Sequence, residues 1–238
     1  MTEKKNNLTP LGRREFMKIA LGAGATAASL KLAQKVSASK PEGSSPHQWA
    51  MVIDQRKCVG CGYCSNACRA HNDIHPDISW NRVIESDVID GENTYISRPC
   101  MQCEHAPCVD VCPVKASYYR ADGIVMMDYD RCIGCRYCEV ACPYNARAFN
   151  WEEFTSDNPA VPEWGEPEVE RRPRGVVEKC SFCYHRIDRG IALGLTPGVD
   201  TDTTPACAVA CPVGARVFGD LNDPESQVSM LLEKQDRK

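Results

Sequence analysis

Aromatic residues are scarce in this 238-residue chain, at 7%. A chain of this size with so few can build only modest apolar cores, and domains of that kind need staples, of which bound metal is one. Long apolar runs are also missing. No stretch approaches 18 apolar residues, so no membrane-spanning helix is expected. There is no phosphate-cradling glycine loop and no nucleophile motif, and hence no sign of catalysis. A basic stripe with interleaved aromatics is absent too. Residues 1–38 hold seven Lys/Arg and two acids, which leaves 21 basic and 30 acidic residues, a net −9, in the remainder. A body that acidic is a poor nucleic-acid binder. With 43% apolar and 25% charged residues, the composition is nonetheless not that of a disordered chain.

What the chain has in excess is cysteine, sixteen in all, in four groups of four with none left over. The first group is CVGCGYCSNAC, with Cys58, Cys61, Cys64 and Cys68. The second is CMQCEHAPCVDVCP, with Cys100, Cys103, Cys108 and Cys112. The third is CIGCRYCEVACP, with Cys132, Cys135, Cys138 and Cys142. The fourth is split between CSFC (Cys180, Cys183) and CAVACP (Cys207, Cys211). Groups one and three are copies: MVIDQRKCVGCGYCSNAC lies over VMMDYDRCIGCRYCEVAC, matching Asp54/Asp128, Gly60/Gly134, Tyr63/Tyr137 and Ala67/Ala141. PYNARAF after group three likewise matches PVGARVF after group four. Such repetition implies a duplicated supersecondary unit.

A C-x-x-C-x-x-C run wraps three thiolates around one compact object. The fourth cysteine, followed by Pro in three groups, points elsewhere; in two-cluster ferredoxins it ligates the other cluster. Gly60 and Gly134 suit the sharp loop, whose backbone N–H groups can face cluster sulfurs. A structural zinc site usually draws its ligands as two separated pairs, and adjacent C-x-x-C pairs make poor structural disulfides. The pattern therefore predicts four [4Fe–4S] clusters. The gap from Cys112 to Cys132 is short, so groups two and three should share a domain, with groups one and four closing a second around it. The predicted ligand sets are Cys100, Cys103, Cys108 with Cys142, and Cys132, Cys135, Cys138 with Cys112. The outer sets are Cys58, Cys61, Cys64 with Cys211, and Cys180, Cys183, Cys207 with Cys68. His71, His75, His105 and His185 lie near these loops but are assigned no iron. Tyr63 and Tyr137 are expected to pack over the clusters.

Short strands are expected at Ala50–Asp54 and Gly123–Asp128, with a turn at Ala121-Asp122-Gly123 and a short helix after each fourth cysteine. This is an α+β fold of two ferredoxin-like domains, each holding two clusters, with inserted loops. The outer domain spans 48–97 with 176–222 and the inner spans 98–149. An insertion loop occupies 150–179, read equally as a solvated loop or a docking surface, and 223–238 forms a tail. The gap 184–206, rich in turn residues, reads as a second loop.

The amino terminus reads as an address. Arg13-Arg14 is followed by Phe16, Lys18, a weakly apolar run from Ile19 to Leu30 and a small-residue site at Val36-Ser37-Ala38. Residues 1–38 resemble a twin-arginine export signal. That route carries folded proteins, which suits a chain whose clusters are assembled in the cytoplasm. It implies a peripheral protein of the periplasm or the outer face of the cytoplasmic membrane.

From about Gln48 to Asp223, with all four cysteine groups in order, CRAHND after the first and GARVFGDLNDP after the fourth, the chain resembles a known family. This is the four-cluster electron-transfer B subunit of bacterial respiratory oxidoreductases, of the dimethyl sulfoxide, polysulfide and tetrathionate reductase and formate-dependent nitrite reductase type. The resemblance implies a non-catalytic wire between a catalytic subunit, often molybdopterin-containing, and a membrane quinone-reactive anchor or a haem (cytochrome) partner. Some relatives carry Trp at the second cysteine of group three and hold a three-iron cluster there; this chain has Cys135. Arg69 stands where Pro follows the other fourth cysteines. A free-standing polyferredoxin, and a zinc- or disulfide-stapled secreted protein, are the competing readings.

Overall fold

The computed structural model describes residues 45–89 and 92–235. Arg13-Arg14, the apolar run and the small-residue site lie outside the described residues. Within them the architecture is α+β, small sheets plus short helices, as expected. No described helix is long and apolar enough to cross a membrane.

Among the described residues, eight strands form four antiparallel two-stranded sheets. β1 (Trp49–Ile53) precedes group one and pairs with β8 (Arg216–Asp220), which follows group four, in the register Trp49↔Asp220 to Ile53↔Arg216. β2 (Arg82–Ile89) and β3 (Glu92–Arg98) make a hairpin between groups one and two. β4 (Ser117–Tyr119) and β5 (Val125–Met127) make a second hairpin, around the predicted Ala121-Asp122-Gly123 turn, between groups two and three. β6 (Arg147–Phe149) follows group three and pairs with β7 (Val177–Lys179), just ahead of group four. The sequence assigned Val177–Lys179 to the end of the insertion loop; it is instead a buried strand.

The expected helices stand on the other side of the fourth cysteine. α1 (Tyr63–His71) carries Cys64 and Cys68, while α2 (Pro107–Asp110), α3 (Tyr137–Val140) and α5 (Ala206–Val209) each precede the last cysteine of their group. Proline explains the correction. Pro113, Pro143 and Pro212 disfavour helical geometry in the preceding residue and cannot continue the hydrogen-bond ladder, so the helix stops short of the fourth cysteine. Where Arg69 replaces Pro, the helix runs on to His71. The supposed loop 184–206 also holds α4 (Tyr184–Ala192), which buries Arg186, Ile187 and Gly190. A Cβ at Gly190 would lie 1.8 Å from Thr203 Oγ1, so only glycine allows that approach. The last helix, α6, is Gln227–Gln235.

Two apolar clusters organise these elements. One gathers Trp49, Ile74, Ile78, Trp80, Phe182, Ile187 and Phe218, largely from the segments around groups one and four. The other gathers Ala106, Val109, Ala116, Tyr119, Val125, Met127 and Val177, around groups two and three. They are joined by Arg120, beyond β4, whose guanidinium donates to both carboxylate oxygens of Asp188 on α4 at 2.8 and 2.7 Å. Trp49 N–H also donates to the Asp122 carbonyl at 3.1 Å.

Residues 150–176 form a strap fastened to α1 and α4. Glu168 is its main anchor, accepting from Arg189 at 2.7 Å and from Arg186, with His71 Nδ1 at 2.6 Å. Asp73, just past α1, accepts from Arg171 at 2.6 Å and Asn158 at 2.9 Å. The reading of 150–179 as a solvated loop is thus replaced by an anchored one.

Candidate iron–sulfur sites

The four C-x-x-C loops share one backbone turn. The residue before the second cysteine is left-handed in each: Gly60 (φ 73°), Gln102 (φ 46°), Gly134 (φ 67°) and Phe182 (φ 55°). Alternation of right- and left-handed residues turns successive N–H groups toward one point, a concavity suited to negative charge. Gly60 and Gly134 were legible as the turn residues. Gln102 and Phe182 were not, and only their place in the repeat marks them. At Gly134 a Cβ would sit 2.2 Å from the Gly175 carbonyl oxygen, which closes the strap against this loop. Asp54 and Asp128, matched in the repeat, both cap the turn entering a cysteine loop: Asp54 accepts from Arg56 N–H, and Asp128 from Asp130 and Arg131 N–H, all at 3.1 Å.

Beyond the fourth cysteines the motif repeats again as CPVKA, CPYNA and CPVGA. Lys115, Asn145 and Gly214 are left-handed there, with φ of 54°, 48° and 59°. Each aims the following N–H at a sulfur: Ala116 to Cys112 at 3.2 Å, Ala146 to Cys142 at 3.4 Å and Ala215 to Cys211 at 3.3 Å. Each of these sulfurs thus accepts a backbone hydrogen bond from its own loop.

Cysteines from different groups come together. Cys58, Cys61 and Cys64 line a cavity with Cys211, floored by Val83, Ala215 and Arg216. Burial raises the Cys68 thiol well above its usual range, and the thiols acting on it are Cys183, Cys180 and Cys207. Asn72 Nδ2 reaches both Cys183 Sγ at 3.5 Å and Cys68 Sγ at 3.8 Å. Burial likewise raises Cys103, followed by its neighbours Cys100, Cys108 and Cys142. Burial raises Cys138 also, opposed by Arg147 and reinforced by Cys108 and Cys112. Across the groups, Cys180 is pushed up to about 12 by burial and then by Cys207 and Cys100. Tyr63 and Tyr137 are the tyrosines expected to pack over the clusters. They are 43% and 64% exposed, each opening a helix, and Tyr63 meets Trp164 edge-on.

All sixteen cysteines are free thiols. Among the described residues, no group of three or more Cys, His, Asp or Glu side chains converges as a single metal ion requires. Zinc at about 2.3 Å from each of four sulfurs would draw them tightly together. A cubane binds each thiolate to a different iron and spreads them more widely. The buried thiols fit it in charge as well: with Cys180 near 12 and Cys207 near 11 they hold their protons when alone, and bound iron would displace them. Three of the histidines have other surroundings. His71 holds Glu168, His75 lies edge-on to Phe154, and burial brings His185 down to about 4.

The fold and the thiol arrangement define a multi-cluster ferredoxin-type protein. Sequence comparison agrees: residues 92–158 and 131–215 each match a 4Fe-4S dicluster domain, and residues 49–70 match a 4Fe-4S binding domain. The dicluster matches overlap on group three, so they identify dicluster units without fixing which groups share one. The chain is 43% identical over 211 residues to the menaquinone reductase iron-sulfur cluster-binding subunit of Nitratidesulfovibrio vulgaris, covering 77% of this chain and 80% of the relative. It is 35% identical over 231 residues to the B subunit of the tetrathionate reductase of Salmonella typhimurium (93% and 79% covered). It is 36% identical over 191 residues to the B component of the polysulfide reductase of Wolinella succinogenes (78% and 83% covered). The chain thus belongs to the iron–sulfur B-subunit family of respiratory oxidoreductases. It is an electron-transfer protein of four [4Fe–4S] clusters.

Proposed function

We propose that two ferredoxin-like domains hold the four clusters in crossed sets, and that these form one wire in the group order three, two, four, one. The sets are Cys132, Cys135, Cys138 with Cys112; Cys100, Cys103, Cys108 with Cys142; Cys180, Cys183, Cys207 with Cys68; and Cys58, Cys61, Cys64 with Cys211. The packing of Cys100 against the apolar cluster that holds Cys180, with Gln102 Nε2 donating to the Cys180 carbonyl at 2.8 Å, carries the order, because it joins the two halves through groups four and two. When bound, each cluster takes up and releases one electron. The chain's own part is to hold thiolates, aim N–H donors at sulfur and keep water away.

Exposure supports the same direction. Cys68, Cys180, Cys183 and Cys207 are all buried, whereas Cys61 and Cys135 are exposed. Exposed apolar side chains flank both: Val59 and Tyr63 beside Cys61; Ile133, Tyr137 and Val140 beside Cys135. Electrons therefore enter and leave at the loops of groups one and three. One end meets a catalytic subunit of the molybdopterin type and the other a membrane quinone-reactive or cytochrome subunit. The names of the menaquinone and tetrathionate reductase relatives support such partners. The chain itself carries no active site. Arg13-Arg14 sends it, folded, to the outer face of the cytoplasmic membrane.

Anaerobic affinity purification tests this. A brown protein with about sixteen iron atoms per chain, recovered in equal amount with a large molybdenum-containing subunit, is expected. Recovery of the iron-loaded chain alone would favour a free polyferredoxin. A colourless, zinc-bound chain would overturn the cluster reading.

A further inference from the structure

Two arginines lie buried among the cysteines without a carboxylate. Arg147 and Arg216 occupy the same place in PYNARAF and PVGARVF, are 2% and 4% exposed, and among the described residues neither forms a salt bridge to an acid. Each bonds a cysteine, a methionine and a serine. Arg147 donates to Cys108 Sγ at 3.2 Å, to Met127 Sδ at 3.5 Å and to Ser117 Oγ. Arg216 donates to Cys207 Sγ at 3.4 Å, to Met51 Sδ at 3.5 Å and to Ser97 Oγ, and additionally to Asn81.

Each serine completes a bridge. Ser117 N–H donates to Cys112 Sγ at 3.5 Å, and Ser97 Oγ lies 3.9 Å from Cys64 Sγ. One guanidinium thus spans Cys108 of one ligand set and, through Ser117, Cys112 of the next. The other spans Cys207 and, through Ser97, Cys64. A fully buried cation without a counter-ion is strongly unfavourable. Of the hydrogen-bond partners of the two side chains, those that can carry negative charge are Cys108 and Cys207.

We propose that Arg147 and Arg216 are positioning residues for the wire: each fixes a positive charge between two neighbouring clusters and so raises both reduction potentials. This rests on the cluster reading above. Adding an electron increases a cluster's negative charge, so a cation at its ligand sulfur stabilises the reduced form more than the oxidised form. Unit charges about 8 Å apart at an effective dielectric of about 20 change that balance by more than tenfold.

The test is a redox titration of the whole loaded protein, poised with dithionite and mediators and followed by low-temperature EPR, in Arg147→Gln, Arg147→Lys and the corresponding Arg216 variants. At full iron content, Arg147→Gln should lower the reduced-to-oxidised ratio about tenfold at fixed poise, a shift of about 59 mV for one electron, in two of the four signals. Arg216→Gln should shift the other two, and both Lys variants should stay near wild type. Unchanged midpoints in a Gln variant with full iron would overturn the proposal. If the Gln variants do not retain iron, the Lys variants decide. Full loading at wild-type potentials supports a role for the charge. Loss of iron, or midpoints lowered by the same ~59 mV, overturns it by showing that guanidinium shape is what the site needs. Low iron in the wild-type protein would instead refute the underlying cluster reading.

Discussion

Replacing Glu168 by Gln should release the strap. Burial acts to raise the pKa of this carboxyl, but the hydrogen bonds from His71 and Arg189 and the charges of Arg186 and Arg189 overcome it and bring it to about 2. Against its ordinary 4.5, that fall corresponds to about 3 kcal/mol of preference for the ionised form in the folded protein. The side chain is 15% exposed, so solvent screening returns part of this and about 2 kcal/mol remains. Because the folded pKa is depressed, the contribution is complete above about pH 4.5 and drains away as pH falls toward 2. Gln keeps the shape and removes the charge at every pH. It also leaves Arg186, 8% exposed, without its carboxylate.

Limited proteolysis at neutral pH reads the effect directly. Cleavage within 150–176 requires the strap to lift. When lifting and closing are fast, the cleavage rate follows the open population. A loss of about 2 kcal/mol should therefore raise the rate about 30-fold, while iron content stays at the wild-type level. A rate within threefold of wild type would show that the remaining anchors, Asp73 with Arg171 and Asn158, hold the strap without Glu168. The reasoning from the depressed pKa would then fail.

Changing Cys68 to Ser should cost the cluster held by Cys180, Cys183 and Cys207 and leave about twelve iron atoms, with Cys58, Cys61 and Cys64 still loaded; iron positions in a crystal of the variant would refute crossing if the first group's cluster is the one lost. Replacing Arg13 and Arg14 by Lys should hold the chain in the cytoplasm, checked by fractionation, and unchanged export would remove the signal reading. Gly134→Ala sets a Cβ against the Gly175 carbonyl at a φ of 67°, and should lower the denaturation midpoint and the retention of iron at the group-three loop, by about 1–3 kcal/mol; a midpoint equal to wild type would show that the strap yields there.

The cysteine groups, the left-handed Gly60 and Gly134 and the β4–β5 turn were readable because each rests on a local rule: ligand spacing, glycine freedom, turn chemistry. What escaped was set by distant partners. Val177–Lys179 looks like surface because two of its three residues are charged, yet Glu178 accepts from Trp80 Nε1 at 3.1 Å and Lys179 donates to the Cys180 carbonyl at 2.5 Å. Burial was decided by Trp80, ninety-eight residues away in sequence, and no window around position 178 contains that information. Gln102 and Phe182 escaped for another reason. Neither residue favours positive φ, and Phe182 is kept there by burial beside Phe218, with ring centroids 5.4 Å apart. The anchoring of 150–176 was likewise invisible, since its acids and arginines, counted alone, describe a solvated segment.

The departure at Arg69 shows how one residue separates two copies of a repeat. Where Pro113, Pro143 and Pro212 follow the fourth cysteine, the chain leaves the helix and returns as a strand. With Arg69 in that place the helix continues to His71, and the guanidinium satisfies the carbonyls of Pro76 and Ile78 at 3.0 and 3.1 Å. The extra turn sets His71, Asn72 and Asp73 in a row. His71 and Asp73 take the strap through Glu168, Asn158 and Arg171, while Asn72 reaches inward to Cys68 and Cys183. A proline at 69 would end the helix before any of the three is placed. The same extension therefore fastens the strap outside and orders the thiols inside. It adjoins Cys68, which with Cys180, Cys183 and Cys207 makes the proposed ligand set whose four thiols are all buried, while Cys61 and Cys135 of the duplicated groups are exposed. In the proposed wire the duplicated loops are thus the ends, and the helix that Arg69 permits lines the insulated middle.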